Sequence, residues 1–319
     1  MGRARGAANR RRPLAHTGQS AGRPAGRRRL THPGLRRQYV KLCDLRDFAD
    51  TAVRERIDDI VPGLEPSQRA HRKNWEYALL ALFLEDAGLL GEDTTILSVG
   101  AGHETVLFWL ANRVAKVVAT DIYGEGIFGG LEADRSMLTD PASFSPYPYR
   151  ESHLEVRHMD AKQLEFDDGS FDAVFSLSSI EHFGSWADIR RSAAEIGRVL
   201  RPGGAAFVVT ECFVSRSLLG PRAIQEAASK VAWPIKIFTP QTLESEILEP
   251  SGLELAQPLD TKPPDTGGNV IELHGGGRIT STTGADFPHI GVRVQRFGLR
   301  TRTWTSVALA MTKPSVSDA

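Results

Sequence analysis

Between residues 95 and 212 short apolar runs alternate with amphipathic stretches, and no other feature constrains the fold as much. Ile96-Leu97-Ser98-Val99 reads as a buried strand closed by Gly100-Ala101-Gly102. Val106, Leu107, Leu110, Ala111 and Val114 then mark one face of a helix. Residues 116–120 form a second strand, ending in Asp121. Residues 154–159 alternate apolar and polar side chains, as a half-buried strand does, and 171–176 are another strand. Ile189, Ala193, Ile196, Val199 and Leu200 line an amphipathic helix over 186–200. Arg201-Pro202-Gly203-Gly204 breaks that helix, and 205–210 are the next strand. Strands separated by helices or crossovers predict a parallel sheet covered on both faces.

The flanks are less regular. Residues 41–62 predict a short helical lead-in ending at Pro62. A firmer helix is expected over 66–90, where Trp75, Leu79, Leu82 and Phe83 recur at helical spacing. Beyond the sheet, 240–248 read as a helix, 253–259 as a strand and 305–312 as a final strand. The intervening 261–303, rich in Gly, Thr and Pro, carries little periodicity. The expected division is a tail over 1–37, an N-terminal helical cap over 38–92 and one α/β domain over 93–319.

The net charge of zero hides two unlike parts. Residues 1–37 hold eleven arginines with no lysine and no acid, so the remainder is acidic by the same margin. An Arg/Ala/Gly/Pro stretch with few large apolar residues cannot offset its chain entropy and is expected to be disordered. Such a tail suits nucleic-acid binding, a targeting peptide or an over-extended start, and Val40 would serve as a later one. No apolar run approaches the roughly 20 residues that span a bilayer. The two cysteines, Cys43 and Cys212, offer neither a metal spacing nor a disulfide framework, and nine histidines lie scattered. No metal is expected, and a reducing cytoplasm is the expected compartment.

In doubly wound sheets, ligands sit beyond the carboxyl ends of the strands where strand order reverses. Gly100 and Gly102 suit a turn that must approach a ligand closely. Asp121, at the next strand end, suits a nucleoside, because a carboxylate accepts from two ribose hydroxyls at once. Thr105 stands where a dinucleotide fingerprint needs its third glycine, which argues against NAD. The chain also lacks the Tyr-x-x-x-Lys of a short-chain dehydrogenase.

The run from Ile96 to Gly102 resembles motif I of class I S-adenosylmethionine-dependent methyltransferases. Val118-Ala119-Thr120-Asp121, Met159-Asp160-Ala161 and Phe171-Asp172-Ala173-Val174-Phe175 resemble their second, third and fourth motifs. Leu200-Arg201-Pro202-Gly203-Gly204 is similar to the segment that follows. The resemblance implies a Rossmann-like, doubly wound, seven-stranded and mostly parallel sheet with an antiparallel C-terminal strand. It implies S-adenosyl-L-methionine as cofactor, with Gly100 and Gly102 near its methionine part and Asp121 on its ribose. Ile122 would pack on the adenine, and Asp160 and Ala161 would meet its polar edge. Ser176 and Leu177 would face the methionyl tail and the transferred methyl. Two positions depart from the pattern: Ser98 replaces an acid, and Glu104 replaces a third glycine. Glu104 would either favour the following helix's N-terminus or receive the methionyl ammonium.

Methyl transfer to a hydroxyl needs a proton removed, so a base near the fourth strand's end is expected. His182 is the candidate, with Glu181 as its orienter or a substrate ligand; packing against the pocket is the competing role for His182. The fourth strand ends Ser-Leu-Ser-Ser rather than Asn/Asp-Pro-Pro-aromatic, which disfavours nucleic-acid bases. The expected acceptor is a small molecule, such as a sugar or natural-product hydroxyl. Residues 123–150 would wall the site, and the helix around Trp75 would cap it unless Trp75 is plain core. The rival readings are a non-catalytic S-adenosylmethionine-binding module, an NAD-dependent oxidoreductase, and an RNA methyltransferase using the arginine tail.

Overall fold

The structure, a computed structural model, describes residues 34–126, 128–214, 236–274, 278–279, 289–296 and 300–315. Most of the arginine-rich tail therefore lies outside the described residues. Its last two arginines dock on the folded part: Arg36 Nε donates to Asp86 at 2.7 Å, and Arg37 pairs with Asp50 at 2.8 Å. The predicted helical lead-in is instead β1 (Lys41–Leu42), a 3-10 turn and helix α1 (Thr51–Ile60). Asp44 caps the turn and Asp50 caps the helix through backbone N–H groups, so two side-chain caps divide what periodicity alone joined. Helix α2 (Arg72–Asp86) buries every residue from Asn74 to Leu84. A helix with no polar face must lie inside the protein. Phe83 stacks on Phe207 of the sheet, and Tyr39 meets Phe83 edge-on, each at 5.4 Å. Trp75 is a satisfied core residue, its indole N–H donating to Asp47 at 2.7 Å.

Five parallel strands follow: β2 (Thr95–Val99), β3 (Lys116–Asp121), β4 (Leu154–His158), β5 (Phe171–Leu177) and β6 (Leu200–Phe213). They lie in the order β4-β3-β2-β5-β6. Helix α3 (Thr105–Ala111) carries the chain from β2 to β3, and α4 (Trp186–Val199) carries it the other way, from β5 to β6. Right-handed crossovers in opposite directions place those helices on opposite faces. The order reverses between β2 and β5, so a crevice opens above their carboxyl ends.

A helical segment over 240–251 packs beside α4, and its middle turn, Glu244–Leu248, is π-helical. The last strand, β11 (Arg300–Thr312), runs antiparallel to β6 from Trp304↔Phe213 to Thr312↔Ala205. Its outer edge is shared by three short strands: β10 (Gly291–Arg296), β1, and β7 (Glu254–Leu255). β8 (Val270–His274) extends the sheet beside β10, and β9 (Arg278–Ile279) beside β8.

Among the described residues the sheet thus holds eleven strands rather than seven. A strand as long as β11 presents more backbone donors and acceptors than one neighbour satisfies, and the short strands take up the remainder. The strand expected over 253–259 shrinks to β7 because β1 already occupies the next stretch of that edge. Residues 38–92 also contribute β1 to the sheet, so they are not helical throughout. No helix among the described residues is long and apolar enough to cross a membrane.

Candidate active site

β2 runs into a turn built on Gly100 and Gly102, whose φ values of 70° and 49° lie in the left-handed region. A Cβ at Gly100 would stand 2.6 Å from the Ser179 Cβ, and one at Gly102 2.6 Å from the Glu132 carbonyl oxygen. The glycines are therefore required by the close approach of the chain's own loops. The N–H of Gly102 donates to the Asp121 carboxylate at 2.9 Å, and the N–H of Ile122 to its other oxygen at 2.7 Å. Burial raises the Asp121 pKa, against the pull of those two donors. Ile122 is left 36% exposed, an open apolar surface beside the acid. The Met159 N–H donates to the Asp121 carbonyl at 2.9 Å, which brings Asp160 and Ala161 to the neighbouring strand end. Asp160 accepts from the Lys162 N–H at 2.9 Å, and Ala161 is buried.

At the end of β5, Ser176 is fully buried with its hydroxyl unpartnered, and the Leu177 carbonyl accepts from Lys73 Nζ at 3.1 Å. Ser178 follows at φ 50°, the one non-glycine residue with positive φ among the described residues. Such a conformation costs about 1–3 kcal/mol and persists only where its surroundings hold it. Here α2 holds it: the Ser178 hydroxyl donates to Glu76 at 2.8 Å and accepts from Arg72 at 3.0 Å.

Those contacts belong to a buried ladder of alternating charge, Glu104–Lys73–Glu76–Arg72–Glu211. Lys73 Nζ lies 2.5 Å from Glu104 and 3.1 Å from Glu76. Arg72 lies 3.3 Å from Glu76 and 2.8 Å from Glu211 of β6, and Ser306 of β11 donates to Glu76 at 2.7 Å. One turn of α2 thereby ties together the tips of β2, β5, β6 and β11. Burial works against every charge in the ladder. Lys73 and Arg72 outweigh it at Glu76, whose pKa is lowered. Glu104 and Glu76 likewise hold Lys73 in its charged form. Burial prevails at Glu104, pushed up to about 7, and its Oε2 has no hydrogen-bond partner.

His182 and Glu181 lie on the 3-10 turn after β5. The imidazole meets Phe128 edge-on at 4.8 Å, and its Nδ1 has no hydrogen-bond partner. Burial, helped by the charges of Arg72 and Lys73, pulls its pKa down to about 4, so the ring is neutral at pH 7. Glu181 is buried and accepts from the Thr210 hydroxyl at 2.8 Å. Burial and then Glu211 push it up to about 8. The structure therefore brings all the residues expected at the site to one end of the sheet. Sequence reading did not single out Arg72, Lys73, Glu76, Thr210 or Glu211. The available signal was Arg72-Lys73 and Glu76 at one end of an otherwise apolar helix.

The strand order defines a doubly wound α/β fold, in which ligands sit at the switch point between β2 and β5. A family model described as a methyltransferase domain matches residues 97–208, from β2 into β6. The chain carries a class I S-adenosylmethionine-dependent methyltransferase domain, and S-adenosylmethionine is the methyl donor of that class.

Demethylmenaquinone methyltransferase from Clavibacter sepedonicus is 37% identical over 112 residues, which are 34% of this chain and 38% of that protein. The match thus spans well under half of its relative. Among solved structures, the YcgJ protein from Bacillus subtilis is similar at a TM-score of 0.47 and 12% identity, over 74% of this chain and 98% of its own. Phosphoethanolamine N-methyltransferase 2 from Haemonchus contortus, solved with phosphomonomethylethanolamine and S-adenosylhomocysteine, has a TM-score of 0.41 and 20% identity. That likeness covers 56% of this chain and 37% of the other.

Proposed function

We propose that this chain transfers the methyl group of S-adenosylmethionine to a small molecule held over the carboxyl ends of β5 and β6. The observation that carries this reading is the 2.9 Å contact between Gly102 and Asp121, which puts the glycine turn and the acid on one crevice inside the matched domain. The residues present suit the cofactor: Ile122 offers an open apolar face, and Glu104 keeps a buried oxygen without a donor. Asp121 would hold the ribose, Ile122, Asp160 and Ala161 the adenine, and Gly100, Gly102, Ser176 and Leu177 the methionyl side. The methionine end is a zwitterion, so Glu104 would take its ammonium and the adjacent Lys73 its carboxylate.

When bound, the sulfonium supplies an electrophilic methyl group for in-line displacement. The chain's own task is to align the acceptor and shed water. His182, neutral at pH 7, keeps a lone pair free to accept a hydrogen bond from an acceptor hydroxyl. The acceptor class favoured here is a hydroxyl-bearing small molecule such as a sugar or natural product. Thermal-shift titration tests the cofactor assignment, because a ligand that binds only the folded state raises its stability. S-adenosylhomocysteine is expected to raise Tm and NAD is not. No shift at millimolar S-adenosylhomocysteine would overturn the proposal.

A further inference from the structure

Ser178 comes directly after β5 with its backbone in the left-handed region, at φ 50°. The Cβ of an L-residue crowds the backbone there, so the conformation relaxes unless something holds it. Two hydrogen bonds do so: the Ser178 hydroxyl donates to Glu76 Oε1 at 2.8 Å and accepts from Arg72 Nη1 at 3.0 Å. Glu76 is itself fixed. It is fully buried, and the Ser306 hydroxyl of β11 donates to the same oxygen at 2.7 Å.

The residue after Ser178 reaches the glycine turn. The Ser179 hydroxyl donates to the Gly100 carbonyl at 2.7 Å. The contact is close as well as polar: a Cβ on Gly100 would stand 2.6 Å from the Ser179 Cβ and 2.9 Å from the Phe183 ring. On its other side, the Ser178 N–H donates to the Val209 carbonyl of β6 at 2.9 Å. β5 ends at Leu177, so the conformation of residue 178 decides where the chain goes next. An extended residue there would continue the line of the strand and carry Ser179 away from Gly100. A chain of contacts thus runs from a helix outside the matched domain to the turn that faces the cofactor: Glu76, Ser178, Ser179, Gly100.

We propose that Glu76 is a positioning residue: it fixes the left-handed turn at Ser178, which places Ser179 on Gly100 and sets the gap between the glycine turn and the tip of β5. This rests on the methyltransferase reading of the crevice, in which that gap receives the methionyl end of the cofactor. Glu76 has a second route to the same place, because Lys73, the residue assigned to the cofactor carboxylate, stands 3.1 Å from it. Glycine separates the two routes. It adopts the left-handed region without an anchor, so glycine at 178 makes Glu76 dispensable only if Glu76 acts through Ser178.

The test is calorimetric titration of S-adenosylhomocysteine into the full chain and its variants, with Tm and amide NMR spectra recorded on the same samples. Ser178→Ala loses the anchor and keeps the Cβ, and is expected to weaken the Kd at least tenfold. Ser178→Gly loses the anchor but not the conformation, and is expected to stay within threefold of wild type. Glu76→Met is expected to weaken the Kd at least tenfold, and adding Ser178→Gly to it to restore the Kd to within threefold. If the Glu76 variants do not fold, the two Ser178 variants decide.

A purely structural role lowers Tm and leaves the Kd of every folded variant unchanged, which overturns the proposal. Equal weakening by alanine and glycine at 178 overturns it too. A double variant as weak as Glu76→Met does the same, because the loss then runs through Lys73. The amide signals of Ala101 and Gly102 report on the glycine turn without any ligand, and are expected to move in Ser178→Ala and to move much less in Ser178→Gly. If they do so while the wild-type chain fails to bind S-adenosylhomocysteine, the cofactor assignment fails and the positioning of the turn stands. If they respond alike in both variants, the positioning fails and the cofactor assignment rests on the titration alone.

Discussion

Arg72, on the first turn of α2, holds the buried carboxylate of Glu211 in β6 at 2.8 Å. A helix outside the matched domain thereby sets the charge of a side chain inside the crevice. Removing the guanidinium leaves Glu211 and Glu76 short of a partner in a buried setting. Arg72→Met is therefore expected to cost roughly 3 kcal/mol of stability in urea unfolding at pH 8. The loss should be smaller at pH 5 than at pH 8, because burial already favours the protonated form of Glu211. A loss under about 1 kcal/mol at both pH values would show the ladder to be unimportant for stability.

Stability should also fall as the solution becomes alkaline. Glu181 is pushed up to about 8 in the folded chain from an ordinary 4.5, so the folded state holds a proton that the unfolded state has lost. Stability then declines with rising pH until about 8. Glu104, pushed up to about 7, adds to the decline, and the depressed imidazole of His182, still partly charged in the unfolded chain just above pH 6.5, opposes it by less. Between pH 6.5 and 8, Tm is expected to drop by about 2–4 °C, and Glu181→Gln to lessen that drop. A Tm that rises over this window contradicts the assignment.

Cofactor affinity should carry its own pH signature. Burial pushes Glu104 up to about 7 although Lys73 stands beside it. If Glu104 receives the methionyl ammonium, S-adenosylhomocysteine binds more tightly as pH rises through 7 and Glu104 ionises. Glu104→Gln is expected to weaken binding and abolish the trend, measured by isothermal titration from pH 6 to 8. An identical pH trend in the variant would place the ammonium elsewhere.

His182→Ala is expected to lower kcat by about 10²-fold if the imidazole accepts the acceptor's proton, with the S-adenosylhomocysteine Kd nearly unchanged. The wild-type rate should show no inflection from His182 between pH 6 and 8, because that imidazole titrates near 4. Full activity in the variant would leave His182 a packing partner of Phe128.

β2, β3, β5 and β6 were legible because each holds a short apolar run ended by glycine, an acid or a polar turn, and β4 because its side chains alternate, signals that lie within a few residues. The same local signals placed Asp121 and Gly102 at strand ends. β1 was not legible: Lys41-Leu42 is a strand only because β11 offers it an edge more than 260 residues later. β8 and β10 are likewise defined by their neighbours rather than by periodicity of their own. The charged residues of α2 escaped for a related reason. Arg72 and Glu76 read locally as an i,i+4 surface pair, and only the tertiary fold shows Glu76 buried against Ser306 and Arg72 turned onto Glu211.

The account depends most on Asp121 and the glycine turn belonging to a cofactor crevice, and one titration tests that directly. Isothermal titration of S-adenosylhomocysteine should give saturable binding to the wild-type chain. For Asp121→Ala, it should give a Kd at least tenfold weaker, with an unchanged far-UV circular dichroism spectrum. Equal dissociation constants for the two proteins, or no binding to the wild-type chain at millimolar ligand, would contradict it.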